Sequence, residues 1–462
     1  MKRSTPIPFV LLVLVAVLAL VPNKFRSSPH PGDAIVTGDV AWMLTASALV
    51  LLMTPGLSFF YGGMVGFKNV VSTMLQSVVA LGVMSLVWVM FGFSLAFGES
   101  IKGVVGNPLT FFMFDGVGDA TDKALAPTIP LMLFALFQLK FAIITPALIT
   151  GSFAERVRFS SYLLFIVLFS VFIYSPLAHW TWHPDGFLKQ MGVLDFAGGT
   201  VVHMSAGWAA LAGAILLGRR KSHVKKEAHS PANVPFVLLG TGMLWFGWFG
   251  FNAGSALAAN GTATLAFATT NTASAAAMLG WMFFDWMRGH KPSALGACIG
   301  AVVGLVAITP AAGYVTVRES IVIGVVASVV SNLAVHIRTR STLDDTLDVF
   351  PCHGVGGMVG MIFTGIFADH GLAEGETKLF FTHLIALVIV SAYAFFGSLI
   401  LFKITDLIIP LRVTGEQEVA GLDISQHGET ALGADLIGGL TNGNGHGNGS
   451  HHHEDELVGG RA

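Results

Sequence analysis

Two histidines, His203 and His353, lie inside long apolar runs, where an ionisable side chain is costly and usually faces a cavity or another polar group. A neutral imidazole donates a hydrogen bond from one ring nitrogen and accepts one at the other. Such a pair could bind a metal, relay a proton or contact a small polar solute. The alternative is a structural hydrogen bond between helices. For a single histidine the functional and structural interpretations are equally good. Two histidines at matching places in the chain favour a functional role.

A metal-dependent membrane enzyme is one interpretation of this pair. Metal sites normally recruit a third ligand, and Cys352 is the neighbour of His353. Adjacent residues point apart on a helix, so this cysteine does not complete the set. We therefore expect no metal, no cofactor and no enzymatic activity.

A second group of residues is aromatic. Trp248, Phe251 and Ser255 follow i, i+3, i+7 spacing and share one helical face. Phe141 lies in another apolar run, and Trp182 follows a third, in what we take to be an outer loop. Aromatic faces attract cations, and tryptophan does so best. The alternative, favoured on these residues alone, is an aromatic belt at the membrane interface.

Two charged residues lie close to these groups. Asp195 directly precedes Phe196 and a pair of glycines, so it is predicted to cap a helix, although it could also attract cations. Lys140 lies within an apolar run beside Phe141. It could extend outward to the interface, pair with a carboxylate or repel cations from a pore.

The composition requires a membrane setting for all of these side chains. Of 462 residues, 53% are hydrophobic and 11% charged, and the mean hydropathy is +0.72. A soluble protein carries about 25% charged residues. The net charge of −2 gives no basic field for nucleic acid.

Apolar runs of about 20 residues predict an all-α integral membrane protein with eleven transmembrane helices. The runs fall near 38–63, 70–97, 126–150, 158–178, 197–218, 233–254, 263–287, 293–310, 319–337, 350–368 and 379–404. They form a membrane domain at 37–405. Residues 1–26 read as a signal peptide or N-terminal anchor, and 406–462 as a cytosolic tail, disordered after about 432. Membrane lipid is therefore an expected partner.

The distribution of lysine and arginine sets the orientation. With residue 37 outside, twelve of these cations fall in inner loops and five in outer loops. The inner set is Lys68, Arg156, Arg158, Arg219, Arg220, Lys221, Lys225, Lys226, Arg288, Lys291, Arg338 and Arg340, and the outer set is Lys102, Lys123, Lys189, Arg318 and Lys378. We expect the protein to lie in the cytoplasmic (inner) membrane. Its N-terminus would be outside after processing, and its C-terminus would be in the cytosol.

A faint internal repeat relates the two halves of the domain. Asp195 precedes His203 in the fifth run, and Asp348 precedes His353 in the tenth. Two groups of five helices would be inverted in the membrane, with the solute path between them and one extra helix.

Five stretches together resemble the ammonium transporter (Amt/Mep/Rh) family, specifically its bacterial Amt branch. They are Pro55–Gly63, Ala154–Phe159, Asp195–His203, Gly247–Ser255 and Asp348–Val355, and the resemblance covers about 37–431. It implies eleven helices in a five-plus-five inverted repeat and a homotrimer with one pore per subunit. The Trp182 and Ser255 pair favours an Amt transporter over a gas channel of the Rh type.

The resemblance also implies roles for individual residues. Trp182, Ser255 and Phe141 resemble an outer substrate-binding site for ammonium. Phe141 and Phe251 resemble a phenyl gate, and His203 and His353 the twin histidines of a narrow pore. Asp195 matches the family's aspartate near this outer ammonium site. We expect Asp195 and Trp248 to have a structural or coupling role. The expected function is uptake of ammonium or ammonia by cation capture, deprotonation at the gate and passage along the histidines.

Several positions depart from the family pattern. His183-Pro184-Asp185 replaces residues that are often glycine, which could reshape the outer vestibule. The segment from Gly421 to Glu429 resembles a tail motif that supports regulation by PII signalling proteins, but Leu432 stands where tyrosine is usual. The main alternative function is an ammonium sensor that moves little substrate.

Overall fold

The structure, a computed structural model, describes residues 7–20, 32–227 and 229–431, which are mostly helical. An N-terminal helix spans Ile7–Leu18. The long segments are α1 (Thr37–Met64), α2 (Phe67–Phe97), α3 (Leu131–Phe153), α4 (Phe159–Gln190), α5 (Gly199–Leu217), α6 (Val234–Gly254), α7 (Gly261–Met287), α8 (Ala294–Ile308), α9 (Val317–Arg340), α10 (Phe350–Glu374) and α11 (Lys378–Ile408). The other helices are short and include Phe112–Phe114, Lys221–Val224 and Gly415–Ala420. Strands Ser100–Ile101 and Val105–Gly106 pair antiparallel.

Nine of the described segments are long and apolar enough to cross a membrane, so the chain is a multi-pass membrane protein. The nine do not include α7 and α8, and α8 has only 15 residues. Both lie close to the runs predicted at 263–287 and 293–310. The total of eleven spans therefore stays a prediction.

Several helices begin at a polar side chain that takes up a free backbone N–H group. The Asn233, Asn260 and Ser293 side chains accept from the amides of Phe236, Ala263 and Gly296, at the starts of α6, α7 and α8. At α9, Thr316 and Glu319 form a reciprocal capping box. A side-chain cap of this kind stabilises a helix by about 1 kcal/mol.

Helices α1 and α6 pack backbone against backbone through glycines of α6. A Cβ atom at Gly247 would lie 2.6 Å from the Leu49 carbonyl oxygen, and one at Gly250 would lie 2.7 Å from the Ala46 carbonyl oxygen. No real side chain tolerates such distances. Glycine is therefore required where these two helices meet.

The structure corrects the end of the fourth predicted span and does not cover the chain termini. The fourth span was predicted to end at 178, which put Trp182 in a loop; this is wrong, because Trp182 ends the helical stretch Ser175–Trp182 within α4. The predictions for the tail beyond residue 431, including Leu432, and for most of the N-terminal segment outside Ile7–Leu18 lie outside the described residues.

Candidate functional site

The two histidines predicted from the sequence lie in contact at the centre of the protein. His203 is 1% exposed and His353 is 4% exposed. Their Nδ1 atoms are 3.3 Å apart, and their rings are inclined at 25°. Each lies in a π-helical turn, Gly199–Met204 in α5 and Phe350–Val355 in α10. Such turns occur frequently at functional sites.

A glycine contact sets the distance between the helices that carry the histidines. A Cβ atom at Gly207 would overlap the backbone nitrogen and Cα of Gly354. Gly207 lies one turn after His203, and Gly354 follows His353. The helices therefore approach through bare backbone, which leaves the imidazoles within hydrogen-bond reach.

An aspartate caps the start of each histidine helix. The Asp195 carboxylate accepts from the amides of Gly198 at 2.8 Å, Gly199 at 2.7 Å and Thr200 at 2.7 Å, and from the Thr200 hydroxyl. These four bonds match the predicted capping role of Asp195.

The counterpart of Asp195 in the second half is Asp345, and its assignment to Asp348 was wrong. Asp345 accepts from the amides of Val349 at 3.1 Å and Phe350 at 2.8 Å, at the start of α10. Asp348 instead has a positive φ of 57° and pairs with Arg338 at 2.6 Å. The signal was in the spacing, because Asp195–His203 and Asp345–His353 are both eight residues apart.

A second residue missed in the sequence holds the Asp345 loop in place. Arg156 is fully buried, and its guanidinium donates to the Asp344 carbonyl oxygen at 2.6 Å and to the Thr346 hydroxyl at 2.8 Å. It also donates to the Ser152 carbonyl oxygen at 3.2 Å. Arg156 thus connects the α3–α4 loop to the loop that caps the His353 helix.

The contact between the two Nδ1 atoms fixes complementary roles for the rings. One Nδ1 must donate and the other accept, so one ring leaves its Nε2 as an acceptor and the other leaves an Nε2–H donor. The buried His203 Nε2 has no hydrogen-bond partner among the described residues. A buried polar atom without a partner requires an explanation.

The histidines face a narrow, otherwise apolar cavity, here called the histidine cavity. It is lined by Met53, Leu57, Phe60, Ile144, Leu148, Val202, His203, Leu244, Trp248, Phe251, Val302 and His353. The Trp248 ring lies 5.4 Å from His203, and its indole N–H donates to the Thr309 hydroxyl at 2.9 Å. The imidazoles are therefore the polar side chains that a solute would meet here.

Two further histidines are fully buried, which the sequence analysis did not predict. His179 contacts the Ala96 carbonyl oxygen at 2.9 Å and the Ser100 hydroxyl at 2.8 Å. His383 contacts the Met361 carbonyl oxygen and accepts from the Leu194 amide. Both rings have partners for both nitrogens. Unpaired nitrogen, rather than burial, distinguishes the His203 site.

A pair of phenyl rings lies beside the histidines and separates them from a second cavity. The Phe141 and Phe251 centroids are 4.2 Å apart, with 33° between the rings, and both side chains are buried. Phe251 lines the histidine cavity, while Phe141 lines a second cavity. The aromatic-belt interpretation is wrong for Trp248, Phe141 and Phe251, because all three lie in the core.

The second cavity is called the outer cavity, after its side in the predicted topology, and it opens to the surface of the protein. It is lined by Phe97, Ala124, Leu125, Phe134, Gln138, Phe141, Trp182, Lys189, Asp195, Phe196, Ser255, Leu257 and Tyr314. The Trp182 ring meets Phe141 edge-on at 5.8 Å, and its N–H donates to the Asp195 carbonyl oxygen. The Ser255 hydroxyl donates to the Phe251 carbonyl oxygen at 2.9 Å, which leaves its oxygen free to accept.

Gln138 is a lining residue that the sequence analysis missed. Its Oε1 is buried without a hydrogen-bond partner among the described residues, one helical turn before Phe141 and Ala142. A glutamine in an apolar run followed by an aromatic residue was the available signal. It adds a second acceptor oxygen to the outer cavity.

Lys140 and His183 line neither of these two cavities. Lys140 is partly exposed, and no carboxylate of the described residues lies within salt-bridge distance of its Nζ. His183 stacks on His179 at 4.4 Å and accepts from the Asp185 amide. The departure at 183–185 therefore lies outside the lining of the outer cavity.

Comparison with known proteins relates the chain to one family. The sequence model of the Ammonium Transporter Family matches residues 41–432. The chain belongs to the ammonium transporter family. It is 46% identical over 404 residues to an ammonium transporter of Bacillus subtilis, covering 85% of this chain and 98% of that one.

Solved structures of the ammonium transporter family share the fold. The crystal structure of Saccharomyces cerevisiae Mep2 matches with a TM-score of 0.78 and 34% identity, over 83% of this chain and 89% of that one. A chain titled Sensor Amt Protein matches with a TM-score of 0.78 and 31% identity, over 85% of this chain and 98% of that one.

Proposed function

We propose that this protein takes up ammonium by capturing the cation in the outer cavity, deprotonating it near Phe141 and Phe251, and passing ammonia along His203 and His353. The observation that carries the proposal is the order of the groups. An aromatic cavity with acceptor oxygens, a phenyl pair and an imidazole-lined cavity follow one another. Each suits one step of moving an ion that can lose its charge.

The outer cavity suits a small cation. The faces of Trp182 and Phe141 carry negative potential, and a cation on such a ring gains about 0.5–2 kcal/mol. The oxygens of Ser255 and Gln138 can accept N–H bonds from ammonium. The Asp195 carboxylate lines the same cavity, although its oxygens are occupied by backbone amides and the Thr200 hydroxyl.

The phenyl pair and the histidine cavity suit ammonia rather than an ion. Moving a cation from water into apolar surroundings costs several kcal/mol even after relaxation. Potassium cannot shed its charge, whereas ammonium can release a proton and continue as a neutral molecule. The apolar lining beyond Phe251 would therefore select between these two ions.

The imidazole pair offers ammonia both kinds of hydrogen bond. One Nε2 accepts from ammonia and the other donates to its lone pair, as the shared Nδ1 contact requires. The same contact provides a path by which a proton could move separately from ammonia. Uptake would then be electrogenic.

Current measurements in proteoliposomes test this proposal. We expect the full chain to give ammonium-driven currents but none with potassium. The double variant His203→Ala, His353→Ala should lose most of the current. The exposed His370→Ala serves as the control and should keep it. An unchanged current in the double variant would refute the proton path, and absence of transport by the native chain would refute the transport function.

The match to Sensor Amt Protein favours an ammonium sensor as the second candidate. A sensor would bind ammonium at the outer cavity without passing current. Ammonium binding by the purified chain in the absence of current in the same proteoliposomes would support it.

The proposal also includes the assembly and its orientation. The protein would form a homotrimer in the inner membrane, with the N-terminus outside. Each subunit would be an inverted repeat plus one extra helix. Equivalent caps at Asp195 and Asp345 and equivalent π-helical turns support the repeat. Regulation by a PII protein remains a prediction. The docked tail supports it, since the Asp423 carboxylate accepts from the amides of Val71 and Ser72.

A further inference from the structure

A lysine lines the outer cavity, where the proposed function captures a cation. Among the described side chains that line this cavity, Lys189 and Asp195 are the charged ones. The Lys189 side chain is exposed, and no carboxylate of the described residues lies within salt-bridge distance of its Nζ. Asp185, four residues earlier, instead lies 3.9 Å from His183 Nδ1. A positive charge without a counter-charge opposes cation capture and therefore requires an explanation.

The short helix Phe187–Gln190 fixes the backbone of Lys189 at the end of α4. Leu188, directly before the lysine, is fully buried. The Phe187 ring packs on Trp180 with 4.8 Å between the ring centroids. The lysine is thus attached to an anchored turn, and its flexible four-carbon stem carries the charge beside the cavity.

The other residues that line the outer cavity would attract divalent cations as well as ammonium. Asp195 and Gln138 supply carboxylate and amide oxygens, which are ligands that Mg²⁺ and Ca²⁺ prefer. The face of the Trp182 ring attracts cations in general. A magnesium ion held here could not lose its charge, so it would occupy the cavity without moving on.

The charge of Lys189 opposes a divalent cation more strongly than it opposes ammonium. The Coulomb energy of two charges is proportional to each of them. The factor by which Lys189 weakens the binding of a divalent cation is therefore the square of the factor for ammonium. In water, a unit charge about 8–10 Å away changes the affinity for a monovalent cation about 2-fold and that for a divalent cation about 4-fold.

We propose that Lys189 is a specificity-determining residue of the outer cavity, whose charge excludes Mg²⁺ and Ca²⁺ and weakens ammonium binding by a smaller factor. This role rests on the proposed capture of ammonium in the same cavity. Lys189 acts through its field, so it needs no contact with the captured ion.

Titration calorimetry of the purified full chain with ammonium chloride, in the presence and absence of magnesium chloride, tests this role. At low ionic strength, Lys189→Gln should bind ammonium about 2-fold more tightly than the native chain, and magnesium should compete about 4-fold more strongly. Lys189→Arg keeps the charge and should behave as the native chain. In about 1 M sodium chloride the differences should disappear, because the Debye length falls to about 3 Å.

Lys102→Gln is the matched control, because Lys102 is exposed in the turn between the two strands and does not line the outer cavity. It should keep the native affinity for both cations. Unchanged binding in Lys189→Gln, an equal gain for ammonium and magnesium, or a Lys189→Arg variant that resembles Lys189→Gln would each overturn the proposal.

Ammonium currents in proteoliposomes, measured with the same variants, separate this role from the proposed function. If the native chain gives no current but Lys189→Gln binds both cations more tightly by the expected factors, transport is refuted and the role of Lys189 stands. A native current together with unchanged affinities in Lys189→Gln refutes the role of Lys189 alone. Absence of ammonium binding by both chains would overturn both.

Discussion

At the scale of single residues, the side chains around the proposed path differ in what occupies their polar atoms. His179 and His383 have partners for both nitrogens, whereas His203 Nε2 and Gln138 Oε1 have none among the described residues. An unpaired polar atom in a core costs about 1–3 kcal/mol. Both residues line cavities of the proposed path, so the proposal predicts that a solute supplies the missing hydrogen bonds.

Trp182→Leu should raise the half-saturating ammonium concentration by about 2- to 30-fold, because it removes a cation–π contact worth about 0.5–2 kcal/mol. The maximal current should change less, since the histidines and phenyl rings are untouched. Concentration-dependent currents in proteoliposomes measure both. Trp286 is exposed, so Trp286→Leu is the control and should keep the native half-saturating concentration. An unchanged half-saturating concentration in Trp182→Leu would mean that Trp182 does not take part in cation capture.

At the scale of helices, close approach decides the geometry of the site. The Nδ1–Nδ1 distance of 3.3 Å depends on α5 and α10 touching at Gly207 and Gly354. The caps at Asp195 and Asp345 then fix where each helix begins. Two imidazoles on helices at ordinary spacing would not share a proton.

Gly207→Ala should separate α5 from α10, because its methyl group would meet the Gly354 backbone rather than a flexible side chain. We expect loss of most ammonium current and about 1–3 kcal/mol lower stability, as for other overpacked sites. Gly242→Ala is the matched control, since a Cβ there meets nothing within 4 Å. Native currents in Gly207→Ala would show that the contact is not required.

At the scale of the whole molecule, a buried ionic network connects the loops of one face. The Arg220 guanidinium donates to Asp344 at 2.9 Å and to Glu155 at 2.7 Å, and His223 contacts Asp344 at 3.3 Å. Burial alone would raise the pKa of Asp344, but hydrogen bonds from Arg220 and the charges of Arg156 and Arg220 hold that pKa below its ordinary value of 3.8.

The contribution of Asp344 to stability should therefore be complete above pH 3.8 and be lost as the pH falls below it, because folding favours the ionised form. Asp344→Asn should destabilise the protein by about 1.5–3 kcal/mol at neutral pH, since it removes one of the two carboxylates that pair with the buried Arg220 and leaves only Glu155. It should also flatten the acid end of the stability profile. Thermal unfolding from pH 3 to 7 measures both effects.

Glu227→Gln is the control for this prediction. Its pair with Lys225 is exposed and 3.6 Å long, so its loss should have almost no effect. If Asp344→Asn unfolds like Glu227→Gln across the pH range, the network does not hold the loops of this face together.

The sequence by itself determined the membrane class, most helix positions and the placing of two histidines inside apolar helices, because these depend on composition and local periodicity. For the aromatic residues it favoured a membrane belt, and their burial in the core came only from the structure. The eight-residue spacing to His353 already pointed to Asp345 as the second cap, whereas only the tertiary structure decided that the histidines share a contact and that Arg156 positions the Asp345 loop. The histidine contact and the Arg156 contact each join residues about 150 to 190 positions apart. Hydropathy cannot predict such contacts, because a glycine or an arginine has the same hydropathy value whichever residue it contacts in the fold.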